Sequence, residues 1–433
     1  MIQAMMAGVA SIEAQQTRMN VIGNDLANIN TTAFKSQDVN FEDLISQQVS
    51  GATSPTGNLG GTNGEQVGLG VQVGSTTSNM SQGSLSATSD PSDMAIQGNG
   101  FFMVGNGTST SYTRDGTFEI DSAGSLVSAD TGQKVLGWSA DSDGTIDTTA
   151  QVTPTSSISI PVGSLDAAQA TQNVSLAGNL NSAAASTDST SVTTTVYDSS
   201  GTSHDVTIVY SDPSTPTAGS GPTGATSQWQ WTAYSGDSAS GTAIGSSTST
   251  GNTPVYFNAS GTQVSSLASG TYNTISLPSS GTGGTASTIN LNMSSMQQLA
   301  AQDQVAVTSQ DGFPPGTLQG FTVGLNGVIT GSFSNGLERA LGQVALANFS
   351  NPSGLSQTGS NLYVPSANSG VATVGVANQG TMGTINSGFL EQSNVDLSTS
   401  LTNLIITQRG FEANTKIVST VDQLMQTLID MKH

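Results

Sequence analysis

Apolar residues near the start of the chain recur at Met5, Val9, Ile12, Met19, Ile22, Leu26 and Ile29. Steps of three, four and seven dominate, the spacing of one helical face. The step from Met19 to Ile22 slips, and Gln16 stands where the stripe asks for an apolar residue. The Asn and β-branched Thr residues of "NINTT" predict that this helix ends between Asn28 and Thr32. The last segment repeats the pattern. Leu397, Leu401, Leu404, Phe411, Val418 and Met425 alternate by four and three, with Gln408, Thr415 and Asp422 filling the intervening places. Ile405, Ile417, Val421, Leu424 and Leu428 widen the stripe. Asp396 or Ser398 can cap its start. At a rise of about 1.5 Å per residue, this helix is expected to be about 45–50 Å long.

Neither terminal stripe has another helix near it in sequence. Each is therefore expected to be covered by the other, and by copies in neighbouring molecules. The competing reading is an ordinary helix pair packed on its own domain.

Between the helices the periodicity changes. Residues 51–92 are rich in Gly, Ser, Thr and Asn and read as linker with short extended pieces. From Asp93 short alternating or apolar runs are punctuated by Asn99-Gly100, Asp115-Gly116, Ala123-Gly124 and Asp143-Gly144, the sign of hairpins. Residues 151–303 are Ser/Thr-rich with alternating strands such as "SVTTTVYDSSGTSHDVTIVYSD", and a second β block runs from Gln304 to about Ser387. The fold class is α+β, mostly β, with helices only at the ends. At roughly 150 residues per domain, 433 residues suggest about three domains.

Charge sharpens this picture. Only 9% of residues are charged, yet the net charge is −21, from 29 acidic and 8 basic side chains. That argues against nucleic acid and anionic membrane surfaces as partners, since both call for Lys and Arg clusters. Arg18, Lys35, Arg409, Lys416 and Lys432 lie towards the ends, leaving Arg114, Lys134 and Arg339 in the middle. There is no cysteine, which excludes disulfides, thiol catalysis and Cys-zinc sites. No apolar run approaches the ~18–20 residues that span a bilayer. "MIQAMMAGVASIE" has no basic n-region and meets Glu13 early, so export without a cleaved signal is expected.

Candidate chemistry is thin. Gly68, Gly70 and Gly74 of "VGLGVQVG" do not open a helix in a βαβ unit, so a dinucleotide site is not indicated. Asp141, Asp143 and Asp147 lack the ligand number and terminal Glu of a calcium loop and read as an Asp-Gly turn. His204 and His433 are far apart and have no Cys partner, so neither suggests a metal. Asp115 and Glu119 could form a carboxylate pair, but nothing marks a substrate cleft. No nucleophile elbow or nameable triad occurs. The expectation is no enzyme, no metal and no cofactor.

The termini also carry a likeness. "NVIGNDLANINTTAFK" and "SNVDLSTSLTNLIITQRGFEANTKIVSTVDQLMQTLIDM" resemble the paired terminal signatures of the bacterial flagellar rod and hook proteins. "MAIQGNGFFMV", "YTRDGTFEID" and "VLGW" resemble that family's inner β domain. "LAGNLNSAAAS", "TTTVYDSSGTSHDVTIVY" and "ERALGQVALANFSNPSGLSQTGSNLYVPSANSG" look most like its hook branch. The likeness is weak across 211–290.

The resemblance implies nested domains. Residues 1–35 and 390–433 would form a terminal-helix coiled coil, and 36–92 an extended linker. Residues 93–150 and 304–389 would form a middle β domain, with 151–303 an inserted outer β domain. It implies a helical homopolymer: a curved tube acting as a universal joint between rod and filament, with the terminal helices at the lumen. It further implies the distal rod protein, hook cap, hook-filament junction protein, hook-length control protein and type III export apparatus as partners, an extracellular flagellar location, and no membrane insertion.

Two alternatives stand beside it. Gln47 to Gln66 is longer than the compact linker of many hook proteins and favours a distal rod protein, while the large middle region opposes that. A secreted β-rich adhesin would not need apolar helical stripes at both ends. On the hook reading, the polymer interface comprises the terminal stripes from Met5 to Ile29 and from Leu397 to Leu428. Val49, Leu59 and Val67 would anchor the linker.

Overall fold

Both ends of the chain are helices. In a computed structural model, α1 spans Ile2–Ala27 and α2 spans Leu397–Asp430. The structure describes residues 2–55, 57, 60–141, 144–163, 165–166, 168–216, 221–236, 241–264, 272–277 and 287–431. α1 stops just before the Asn/Thr cluster, as its sequence predicts. Of the two candidate caps of α2, Asp396 is the one used: its carboxylate accepts from the Ser398 and Thr399 amides at 2.8 and 3.1 Å. These bonds hold the Asp396 carboxyl below the usual carboxylate range and satisfy two of the amides a helix start leaves open.

The chain divides into two compact units. The first comprises residues 1–160, 321–330 and 340–433, and the second 161–320 and 331–339. The inserted unit thus starts and ends later than the expected 151–303. Hydrogen bonding explains the far boundary. Strand Gln304–Gln310 pairs antiparallel with Asn173–Asn181, which pairs parallel with Ser287–Leu299. Residues 304–310 therefore complete a four-stranded sheet of the inserted unit. A second, six-stranded sheet includes Ser189–Tyr197, Ser203–Ser214 and Ser227–Ser235. Leu176, Ile289 and Leu291 from the first sheet share one core with Tyr210, Trp229, Trp231 and Phe257 from the second. Alternating strands with one apolar face account for this two-sheet packing.

In the first unit the presumed linker is largely paired strand. β1 (Gln37–Asp43) and β4 (Val71–Ser78) form an antiparallel pair. Between them, β2 (Ser46–Ser50) and β3 (Glu65–Gly68) form a second pair. β5 (Leu85–Ala87) pairs with Phe389–Glu391, and β6 (Met94–Gln97) with Thr384–Ser387. β7 (Phe101–Gly105) pairs with β8 (Thr110–Thr113). Leu346 and Ala347 of the strand Glu338–Asn348 lie opposite Phe102 and Phe101. The core gathers aromatics: Phe101 meets Phe349 and Tyr363 edge to face, and Tyr112 meets Phe349 likewise, at centroid distances of 4.9–5.8 Å. The Asp115-Gly116 turn needs its glycine, because a Cβ there would lie 1.5 Å from the Met94 carbonyl oxygen. Asp143 of the predicted Asp-Gly turn lies outside the described residues.

Candidate assembly interface

α1 and α2 pack antiparallel. Gly8 faces Val418, Ser11 accepts a hydrogen bond from the Asn414 amide at 2.5 Å, and Gln15 faces Gly410. Small and polar residues therefore share this contact line with Val418. It passes through Gln15 rather than Gln16, which is exposed, because Gly410 has no side chain to fill the space opposite.

So narrow a contact leaves much of each stripe uncovered. Of the stripe residues, Ile22 and Val421 are buried. Met5, Ile12, Met19, Leu26, Ile29, Leu404, Phe411, Val418 and Met425 are half-buried. Val9, Leu397, Leu401 and Leu428 are exposed. Ile406, Ile417, Leu424 and Leu428 follow at steps of eleven, seven and four, placing them along one side of α2. All four are exposed, Ile406 by 57% and Leu424 by 55%. A helical face this apolar is stable in water only when something covers it.

The roots of the two helices meet at one buried carboxylate. Glu391, six residues before α2, receives the Lys35 ammonium at 2.6 Å and the Gly83 amide at 2.8 Å on Oε1. The Arg114 guanidinium approaches Oε2 at 3.5 Å and also donates to the Gly98 carbonyl at 2.7 Å. Lys35, which follows α1, further donates to the Ser81 carbonyl at 2.8 Å. Burial is the largest influence on both cations and pushes each below its ordinary pKa, while Glu391 pulls the other way.

Around this centre, Asn394 accepts from the Ser36 amide and donates to the Asn79 carbonyl, both at 2.8 Å. Asn361 donates to the Thr32 carbonyl at 2.8 Å. Asp25 in α1 accepts from the Gln37 amide at 3.1–3.2 Å, fixing where β1 leaves the helix. Burial pushes the Asp25 carboxyl up to about 6, against the lowering effect of the Gln37 amide.

The β2–β3 pair stands out from this framework. Its register sets Gln47 opposite Val67 and Ser50 opposite Glu65, and every residue of both strands is exposed. Val49 is 61% and Val67 41% exposed, while Leu59 lies outside the described residues. The hairpin's base touches α1: Gln3 donates to the Gln47 side chain at 2.6 Å, and Gly70 packs on Ala7. Gly70 (φ +126°) is required there, since a side chain would be strained as well as crowded.

The other candidates have local roles. The Asp115 carboxylate accepts from the Thr117 amide and hydroxyl at 3.1 and 2.7 Å, and Asp147 accepts from Thr149 in the same way. His204 lies 3.2 Å from the Asp198 carboxylate in a strand pair. His433 lies outside the described residues. Among those described, no group of three or more His, Cys, Asp or Glu could hold a metal.

Sequence reading missed the root cluster: Glu391, Asn394, Asn361 and Asp25 carried no periodic signal. The available hint was Lys35 and Arg114 themselves, two of only eight bases in the chain.

Comparison with known proteins places these features. Residues 386–431 match the flagellar basal body rod FlgEFG protein C-terminal model, and 164–313 match the flagellar basal body protein FlaE D2 domain. Residues 95–180 match the flagellar hook protein FlgE/F/G D1 domain. The α2 segment and both β regions thus match domains of the flagellar rod and hook class.

Within that class, the flagellar hook protein FlgE of Borreliella burgdorferi is 35% identical over the whole of both chains. That of Salmonella typhimurium is 34% identical over 98% of each. The chain belongs to the flagellar hook protein FlgE family. The flagellar basal-body rod protein FlgG of Bacillus subtilis also aligns over the full length of both chains, at 25% identity. Length alone therefore does not separate hook from rod. The crystal structure of Helicobacter pylori flagellar hook protein FlgE2 matches at a TM-score of 0.50 and 16% identity, over 71% of this chain and 100% of that one. That likeness concerns the fold.

Proposed function

We infer that this protein is a structural subunit of the bacterial flagellar hook, where it assembles with copies of itself. Full-length identity to hook proteins supports the role. The exposed apolar side of α2 is the observation that carries self-assembly, because it has the length and chemistry of an interface and no cover among the described residues. The finer reading is a helical tube, bent into a universal joint between rod and filament. The terminal helices would form its inner layer, the strands of residues 36–160, 321–330 and 340–389 the middle, and the inserted unit the outside.

Export through the flagellar type III apparatus, and contacts with the distal rod protein, cap, junction and length-control proteins, belong to the same reading. No described helix is long and apolar enough to cross a membrane. Electron microscopy of the purified full-length chain under polymerising conditions tests the core of it. Tubes of regular subunit spacing are expected, and a chain that stays monomeric at every concentration refutes it.

A further inference from the structure

A cleft of about 310 Å³ opens in the first unit over the Arg114 side chain. Its floor is aromatic, with Phe101 and Phe349, and Asn99, Asn348 and Ser350 stand around it. Arg114 is 95% buried and lies with its guanidinium 5.3 Å from the Phe101 ring centroid. Its Nε–H is buried without an acceptor. A guanidinium donor left unmatched out of water carries a substantial desolvation cost.

The charge is unmatched as well. Lys35 and Arg114 share one carboxylate, Glu391, and Lys35 holds it more closely, at 2.6 Å against 3.5 Å. The cluster therefore carries one excess positive charge inside a chain whose net charge is −21. Asp115, next in sequence, does not supply the missing anion, because its carboxylate is turned to Thr117. Tyr363 adds none either, since burial pushes its phenol up to about 12. The cleft thus offers a buried, under-neutralised cation and polar side chains around an aromatic lining. Those features suit a carboxylate on a short aliphatic stem.

The same chain carries such a group unpaired. Residues 44–70 contain a single ionisable side chain, Glu65. It lies on exposed β3, two residues from exposed Val67 and so on the same face of the strand. In its own chain the hairpin is tied at its base to α1.

We propose that the Arg114 cleft is a carboxylate socket and that its occupant is Glu65 on the β2–β3 hairpin of a second copy. Glu65 would seat its carboxylate in the cleft over the Arg114 guanidinium, with its methylenes on Phe101 and Phe349. Hairpin and socket are different surfaces, so the contact is heterologous and can repeat from copy to copy. This rests on the hook-subunit reading and adds a specific inter-subunit bond to it.

The test compares full-length wild-type protein with Glu65→Gln, Ser350→Glu and the double variant. The readout is the concentration above which polymer sediments. Both substituted positions are exposed, and unchanged circular dichroism and melting of the monomer establish that each variant folds. Each single change is expected to raise the critical concentration roughly tenfold, the loss of one charge-assisted bond. The double variant should be no worse than the more affected single variant, because both remove the same contact. Asn99→Asp, a second way to acidify the mouth, should act like Ser350→Glu. Unchanged assembly in either single variant, or additive losses in the double, overturns the socket. Wild-type protein that fails to polymerise overturns the hook-subunit reading instead.

Discussion

Leu424→Asp isolates the interface from the fold. Leu424 is 55% exposed on the open side of α2, so in the monomer the change falls among surface substitutions, within about 0.5 kcal/mol. In the polymer it loses two things. A leucine fully removed from water contributes about 1.5–3 kcal/mol, and roughly half of that remains to be gained here, about 1–1.5 kcal/mol. The introduced carboxylate must also be desolvated against Ile417 and Leu428 without a partner, which costs several kcal/mol more. Together they come to about 4 kcal/mol, or nearly three orders of magnitude in critical concentration. Sedimentation of full-length protein across a concentration series measures the effect, and thermal melting of the monomer provides the control. Polymer forming at the wild-type concentration would refute the assignment of this face to the interface. An equal loss of monomer stability would show that Leu424 serves the internal helix pair.

Three further outcomes follow from the roots of the helices and the hairpin. Glu391→Gln strands two buried cations and is expected to destabilise the first unit by about 3–5 kcal/mol in denaturant melts; an effect below about 1 kcal/mol would mean that water reaches the cluster. Burial pushes the Asp25 carboxyl from the 3.8 of an exposed aspartate up to about 6, so its contribution is fully present below 3.8 and is lost as pH rises to about 6. Asp25→Asn should flatten the wild-type decline in melting temperature across that window, and a parallel decline in both proteins would show the carboxyl to be solvated. Deleting Ser50 to Glu65 should make the assembled tube more flexible if the hairpin that holds Val49 and Val67 out meets neighbouring copies; unchanged bending in micrographs would leave the hairpin a passive spacer.

What the sequence shows plainly is what repeats locally. The stripes of α1 and α2, the Asp396 cap and the turns at Asn99-Gly100 and Ala123-Gly124 each depend on residues within a few positions, and their spacing reveals them. Two kinds of feature escape such a reading. One is strand pairing inside a low-complexity stretch: residues 46–68 have the composition of a flexible coil, yet Ser46–Ser50 pairs with Glu65–Gly68, with Gln47 opposite Val67. The other is the long-range polar contact. Lys35 and Glu391 are 356 residues apart, and no pattern at either position marks its partner. The antiparallel packing of the helices likewise rests on gaps, with Gly8 and Gly410 admitting Val418 and Gln15. A small residue signals an approach only once the opposing helix is in place.

The long-range cluster determines how the helix pair is joined to the rest of the first unit. α1 ends at Ala27 and α2 begins at Leu397, and both connections pass through Glu391 or its immediate bonds. The Ala33 amide donates to the Glu391 carbonyl at 2.8 Å while Lys35 holds its side chain. Arg114 brings the end of β8 to the same carboxylate. A helix pair hung on two flexible linkers would move independently of its β strands, each link losing little when bent. Here a displacement of either helix must stretch charge-assisted bonds in a buried site, where they are least screened. The root of α2, and with it the exposed apolar face, is therefore tied to the strands. That preorganisation lowers the ordering cost of assembly, and it means that contacts made by the helices and by the strands of one copy are not independent of each other.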